Sequence, residues 1–70
     1  MPDKIRVLKK RLKQAGFEMR PGRGSHTVWE HPNYPDIKIT MSGQDGKDAE
    51  RYQQKEVEDA IERVGEKHEH

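Results

Sequence analysis

An apolar stripe near each end of the chain constrains its fold more than any other feature of the sequence. The first stripe has the three- and four-residue spacing of one helix face, and Gly16 follows it where a helix often ends on glycine. The two stripes consist of Ile5, Leu8, Leu12 and Ala15, and of Val57, Ala60, Ile61 and Val64. The spacing predicts a first helix of about three turns that starts near Asp3, with Asp3 capping its first turn, and a second helix over about 49–65.

Three short stretches between the predicted helices have the pattern of strands. Residues 17–20 and 37–41 alternate apolar and polar side chains, as half-buried strands do. Residues 25–30 include three good strand formers in a row. The connections are a turn at 21–24, which contains a proline and two glycines, and a segment at 31–36, which contains two prolines. Connections this short predict an antiparallel meander.

The order α-β-β-β-α has one arrangement that buries all of these apolar faces. A three-stranded antiparallel sheet offers one apolar face, and two amphipathic helices on that face cover it. We therefore predict an α+β fold, a two-layer sandwich with the architecture of double-stranded-RNA-binding domains. The 70 residues have room for a single domain over 1–70, with an ordered core over about 3–65 and a frayed tail at 66–70.

Charge is distributed unevenly along the chain. Hydrophobic residues make up only 29% of the sequence and charged residues 39%, so the predicted core is thin. Residues 1–40 contain nine Lys or Arg and four Asp or Glu, a net charge of +5, whereas residues 41–70 contain five and nine, a net charge of −4. A basic half is typical of a surface that faces nucleic acid, but two solvated helix faces of opposite charge explain the same numbers. Both interpretations stay open on charge alone.

The residue types and runs that the sequence lacks exclude several classes of protein. There is no cysteine, so neither a disulfide framework nor a zinc knuckle is possible, and a reducing compartment fits. No run of 18 apolar residues and no signal-peptide pattern occurs, so we predict a cytoplasmic protein without a membrane partner. The histidines, and the acidic residues of 45–50, lack the spacing of metal ligands, so we predict no metal site and no cofactor.

The segment 21–31, PGRGSHTVWEH, has the residue types of a phosphate-binding turn. Gly22 and Gly24 leave room for a sugar-phosphate backbone to approach, and Ser25 can donate a hydrogen bond to it. Two nearby arginines and the basic side of the first helix add sequence-independent affinity for phosphate. These basic residues are Arg20, Arg23, Lys9, Lys10 and Lys13. Phosphate is therefore the predicted ligand.

His26 follows this turn and is the candidate for proton transfer. Imidazole accepts and donates protons near neutral pH, so in RNA cleavage it can deprotonate the 2′-hydroxyl or protonate the 5′-oxygen leaving group. A lone histidine in a strand is more often structural, and only the neighbouring glycines, arginines and serine favour a catalytic role. Trp29 follows on the same strand and is predicted to belong to the core, with stacking on a base as the alternative.

Several short features of the sequence resemble the HicA (YcfA-like) toxin family, from about residue 4 to residue 64. They are the basic helix ending in Ala15-Gly16-Phe17, the Gly24-Ser25-His26 step, the His31-Pro32 turn, the strand over 37–41 and the approach Gly46-Lys47-Asp48 to the last helix. The resemblance implies an mRNA interferase of a type II toxin–antitoxin pair, with a double-stranded-RNA-binding-like fold and one catalytic histidine, which is His26 by motif position. It also implies a HicB antitoxin as the partner that covers the active surface.

The chain departs from the pattern of that family in two places. Many members carry a second histidine where this chain has Thr27, and others carry a His-rich, Pro-containing segment where this chain has residues 42–45. From the residues and the resemblance together, we predict a metal-independent endoribonuclease that acts on mRNA. The alternative is a non-catalytic RNA-binding module, or a degenerate toxin that acts through its antitoxin. A domain that binds only protein, through its acidic last helix, is a third possibility.

Overall fold

The computed structural model describes the backbone of residues 3–68 and the side chains of residues 3–65. Its elements follow one another in the predicted α-β-β-β-α order. They are α1 (Ile5–Gln14), β1 (Glu18–Pro21), β2 (Thr27–His31), β3 (Tyr34–Met41) and α2 (Arg51–His68). The predicted α+β class and the antiparallel sheet are confirmed.

The central strand of the three-stranded sheet is β2, and β1 and β3 are its edges. Trp29, in the middle of β2, pairs with Met19 of β1 and with Ile39 of β3, so these three side chains share one face of the sheet. Val28 pairs with Arg20 and lies on the other face, because successive side chains of a strand alternate. One face is therefore largely apolar, and the other carries mostly polar side chains.

The apolar face of the sheet and both helices share a single hydrophobic core. Its buried side chains are Ile5, Leu8, Leu12, Phe17, Trp29, Ile37, Ile39, Met41, Ala49, Val57, Ala60 and Val64. Both apolar stripes of the sequence contribute to it, as their helical spacing predicts. Trp29 is only 4% exposed, which confirms its predicted place in the core.

The prediction that Asp3 caps the first helix is wrong. The helix begins at Ile5, and its first N–H groups donate to carbonyl oxygens of the loop between β3 and α2. Ile5 N–H donates to Lys47 O at 2.8 Å, and Arg6 N–H donates to Asp45 O at 3.2 Å. A distant backbone segment thus satisfies the donors that we expected a local side chain to satisfy, and these bonds fix the loop against α1.

The second helix, α2, is longer than the sequence pattern predicts. The prediction that it ends at Gly65 is wrong, because Gly65 takes part in the helix, which continues to His68. Glycine lowers helix stability, but the preceding turns of α2 are held by core packing. Of the predicted frayed tail, residues 66–68 continue the helix and residues 69–70 lie outside the described residues. Among the described residues, neither helix is long and apolar enough to cross a membrane.

The side chain of Gln53 joins the start of α2 to the end of β3. Its amide oxygen accepts a hydrogen bond from Glu50 N–H at 2.8 Å, which satisfies a donor at the helix N-terminus. Its amide nitrogen donates to Ser42 O at 2.9 Å. Gln53 is buried, so these two bonds replace the water that its amide would otherwise bind.

The connection between β2 and β3 is shorter than predicted. Because β3 already begins at Tyr34, the predicted connection at 31–36 is reduced to residues 32–33. Pro35 lies within β3, and an edge strand tolerates proline because its outer side has no ladder partner.

Candidate active site

A tight turn joins β1 to β2 at the end of their hairpin. His26 N–H donates to Arg23 O at 2.9 Å, which closes the turn. Gly24 has a φ of 57° and Ser25 has no positive φ, a combination typical of a type II′ hairpin turn. The turn therefore lies two residues beyond the predicted turn at 21–24, and glycine supplies the φ that other residues rarely adopt.

The opposite arm of the hairpin fixes His26 through Gly22. Gly22 N–H donates to His26 O at 2.9 Å, so Gly22 and Arg23 together face the single residue His26, as in a β-bulge. A Cβ atom on Gly22 would lie 2.9 Å from the same carbonyl oxygen. Only glycine allows this close approach, and the backbone of His26 is hydrogen bonded through both its N–H and its C=O.

Three consecutive N–H groups of the turn have no acceptor among the described residues. They belong to Arg23, Gly24 and Ser25, all of which are exposed. Successive free N–H groups of a turn form a concavity suited to anions. The guanidinium of Arg23, which makes no ion pair within residues 3–65, adds a positive charge next to them. The turn thus has the donors that binding of a phosphate requires.

The side chain of His26 is open to solvent. The residue is exposed, and its side chain makes no hydrogen bond or ion pair with any described residue. A fixed backbone with an open ring suits proton transfer to a bound ligand. No three His, Cys, Asp or Glu side chains within residues 3–65 come together as a group that could hold a metal ion.

A basic groove lies between α1 and the adjoining strands β1 and β2. We call it the α1 groove; it has a volume of about 410 Å³ and is lined by Arg6, Lys9, Lys10, Lys13, Met19, Thr27, Trp29 and Asp45. It gathers the three lysines that the sequence predicts to contact phosphate. Arg6 is a fourth cation there, which its helical spacing from Lys9 and Lys13 would have revealed. Thr27 directly follows His26 in the chain, but neighbouring side chains of a strand alternate between faces, so His26 itself does not line the groove.

Arg20 lies on the other face of the sheet from the α1 groove. Met19, the residue before it, lines the groove, and strand side chains alternate between faces. The Nε atom of Arg20 is 3.1 Å from Glu30 Oε1. The predicted phosphate-binding residues are therefore divided among the turn, the groove and this outer face.

His31, unlike His26, is a structural histidine. It is only 5% exposed, and its ring packs edge-on against Phe17 with ring centroids 5.2 Å apart. Asn33 N–H donates to its Nδ1 at 3.1 Å, and its Nε2 is 3.2 Å from Ala15 O. These partners assign the neutral tautomer with hydrogen on Nε2, because Nδ1 must accept. The sequence identified His31 only as the end of a strand.

The family model described as the HicA toxin of bacterial toxin–antitoxin systems matches residues 5–65. The chain belongs to the HicA toxin family. The match begins with α1 and runs into α2, so it includes the hairpin and the α1 groove. This confirms the family resemblance of the sequence and makes the protein a toxin of a toxin–antitoxin system. Searches of curated proteins and of solved structures gave no match.

The positions at which this HicA toxin differs from the common family pattern have structural partners. The hydroxyl of Thr27 accepts a hydrogen bond from Trp29 Nε1–H at 3.0 Å. A buried indole needs an acceptor for this one polar group, and Thr27 supplies it. The loop that contains residues 42–45 continues into the segment that caps α1. Both differences therefore have a role in holding the groove together.

Proposed function

We propose that this HicA toxin is an mRNA endoribonuclease in which His26 is the catalytic residue. The observation that carries the proposal is the difference between the backbone and the side chain of His26. Hydrogen bonds to Gly22 and Arg23 fix the backbone, whereas the imidazole is exposed and has no partner among the described residues. The two ring nitrogens of His31, by comparison, have hydrogen-bond partners in the fold. A free imidazole beside an anion-binding turn supports acid–base chemistry on a phosphodiester.

In the proposed reaction, the 2′-oxygen of a ribose attacks the adjacent phosphorus. The O2′–P bond forms as the P–O5′ bond breaks, which leaves a 2′,3′-cyclic phosphate and a 5′-hydroxyl. His26 accepts the proton of the 2′-hydroxyl or donates one to the departing 5′-oxygen, and water exchanges the other proton. The free N–H groups at 23–25 and the Arg23 guanidinium stabilise charge on the non-bridging oxygens. Gly22 and Gly24 allow the RNA backbone to approach, and no metal or cofactor takes part.

The proposed partners are mRNA as substrate and a HicB-type antitoxin as inhibitor, both in the cytoplasm. An antitoxin that covers the hairpin end would remove His26 and the free N–H donors from RNA together, because all of them are exposed there. Lys9, Lys10 and Lys13 contribute affinity for phosphate through the α1 groove. Arg20 contributes a smaller share of this affinity, because Glu30 already pairs with its guanidinium.

The deciding experiment compares wild type with His26→Ala. Cleavage of a defined mRNA is followed on a gel, and RNA retention on a filter is measured in parallel. We expect cleavage to fall by about 10² to 10⁴, as for loss of a general acid or base, with retention unchanged. EDTA is expected to leave wild-type cleavage unchanged. A His26→Ala variant that cleaves RNA and arrests growth as well as wild type would overturn the proposal.

A second candidate function is RNA binding without cleavage, and the α1 groove favours it. Its cations attract phosphates whether or not His26 acts on them. A degenerate toxin of this kind would regulate through its antitoxin partner. It predicts that wild type and His26→Ala retain RNA equally on a filter, and that neither cleaves it over a long incubation.

A further inference from the structure

An acidic side chain, Asp45, lies within the otherwise basic α1 groove. Its Oδ1 atom is 2.6 Å from Lys9 Nζ. Lys9 is the least exposed of the groove's cations, with its side chain 22% exposed, whereas the Asp45 side chain is 64% exposed. The carboxylate therefore already pairs with the groove cation that has the least contact with solvent.

The backbone of the loop, and not the carboxylate itself, fixes Asp45 in the groove. Arg6 N–H donates to Asp45 O at 3.2 Å, and Ile5 N–H donates to Lys47 O at 2.8 Å. Neither bond uses an atom of the Asp45 side chain. The carboxylate can therefore leave Lys9, or be replaced by an amide, without loss of the cap on α1.

The rest of the groove has the chemistry of a site for a ribose-phosphate chain. Arg6, Lys10 and Lys13 are exposed cations along α1 that complement phosphates. Met19, which is 52% exposed, offers an apolar surface to a base or a ribose. The volume of about 410 Å³ lies in the range of pockets that enclose small ligands.

We infer that the α1 groove binds a nucleotide of the RNA, and that the Asp45 carboxylate occupies, in the free toxin, the position on Lys9 that a phosphate takes in the complex. Asp45 is then an internal competitor that lowers the affinity for RNA. This inference rests on the proposed function for the identity of the ligand. It goes beyond that function in assigning a subsite, its central cation and a residue that opposes binding.

The experiment compares Asp45→Asn with Asp48→Asn, a control that the same loop provides. Asp48 Oδ1 is also 2.6 Å from a lysine, Lys4, but neither residue lines the groove. Each variant removes one negative charge and frees one lysine, so a general electrostatic effect would be equal in both. Both variants are made with His26→Ala, so that the single-stranded RNA probe stays intact during filter binding at several salt concentrations.

We expect Asp45→Asn to bind the RNA about threefold to tenfold more tightly at low salt, because one more lysine is available to a phosphate. The slope of log K against log salt is expected to become steeper by about 0.7, the value for one additional phosphate contact on a single strand. The affinity of Asp48→Asn is expected to stay close to that of the parent. Adding Lys9→Gln to Asp45→Asn is expected to abolish the gain.

Equal affinities for the two Asn variants, or a gain that persists with Lys9→Gln, would overturn the inference. An Asp45→Asn variant that binds the antitoxin more tightly, but not RNA, would also overturn it, since the groove would then be a binding site for the protein partner. These outcomes are distinct from failure of the proposed function. Binding in the His26→Ala background tests the subsite, whereas cleavage by a toxin with His26 intact tests the function. A toxin that cleaves RNA while Asp45→Asn brings no gain keeps its function and loses this subsite.

Discussion

The Nε2 atom of His31 lies 2.8 Å from the point that a Cβ atom on Gly16 would occupy. The same nitrogen is 3.2 Å from Ala15 O, and Gly16 has a φ of 99°. Position 16 therefore excludes a side chain for two reasons: its backbone conformation and its contact with a buried ring. The turn after α1 and the end of β2 pack together as one unit through this contact.

Replacing Gly16 with alanine should destabilise the fold. We expect Gly16→Ala to lower the free energy of unfolding by about 2 to 4 kcal/mol, because the positive φ is strained and His31 must move. Gly65→Ala is the matched control: a Cβ there meets no atom within 4 Å, and alanine favours the helix by up to about 1 kcal/mol. Urea unfolding measures both, and effects of the same sign would contradict the prediction.

The two histidines of the hairpin region should have opposite phenotypes. His31→Ala removes a buried ring and leaves Ala15 O and Asn33 N–H without their partner, so we expect a loss of about 2 to 4 kcal/mol in unfolding free energy. The folded fraction should still cleave RNA. His26→Ala should unfold at the same urea concentration as wild type and lose cleavage. A stable His31→Ala would show that the ring is dispensable.

The close approach of Gly22 to His26 should matter for activity more than for stability. In Gly22→Ala, the new Cβ must push the His26 carbonyl away, because it would otherwise lie 2.9 Å from it. We expect cleavage to fall by about 10²-fold, as for a catalytic group displaced by an ångström. Gly65→Ala, far along α2, should cleave as wild type does. Unchanged cleavage by Gly22→Ala would mean that the position of His26 tolerates such a shift.

The buried amide of Gln53 should contribute to stability through its two hydrogen bonds. Gln53→Ala leaves Ser42 O and Glu50 N–H unsatisfied, so we expect it to lower the free energy of unfolding by about 1 to 3 kcal/mol. Gln54→Ala removes a neighbouring amide whose side chain makes no hydrogen bond within the described chain. Equal midpoints for the two variants in urea would argue against the role of Gln53.

Periodicity was enough to predict the fold, because both helices and β3 show their apolar faces in their own sequences. The strand β1 does not: it begins at Glu18 rather than at Phe17, and all four of its residues are exposed, so the predicted half-buried strand over 17–20 is wrong in its burial. The stripe that begins at Ile5 and the alternation that ends at Met41 both have the spacing of their structures. The first helix cap was not predictable in this way. Its acceptors are carbonyl oxygens of Asp45 and Lys47, and a backbone carbonyl leaves no signature in a side-chain pattern.

The candidate site was predictable in its residues but not in its arrangement. Gly22, Gly24 and His26 are adjacent in the chain, so a local turn brings them together. The burial of His31 depends on Gly16, a contact across the fold that no spacing reveals. The separation of Arg20 from the lysines depends on which face of β1 turns toward α1, and a four-residue edge strand does not specify this.

This separation of faces gives a prediction for RNA binding. Lys13 lines the α1 groove, whereas Arg20 lies on the opposite face and pairs with Glu30 at 3.1 Å. With His26→Ala as the parent, we expect Lys13→Ala to weaken filter binding of single-stranded RNA about threefold to tenfold and to reduce the salt slope by about 0.7. Arg20→Ala removes the same formal charge, so it controls for net charge, and we expect a smaller effect and an unchanged slope. A larger loss with Arg20→Ala would place the RNA on the outer face of the sheet, with its phosphates beside Arg20.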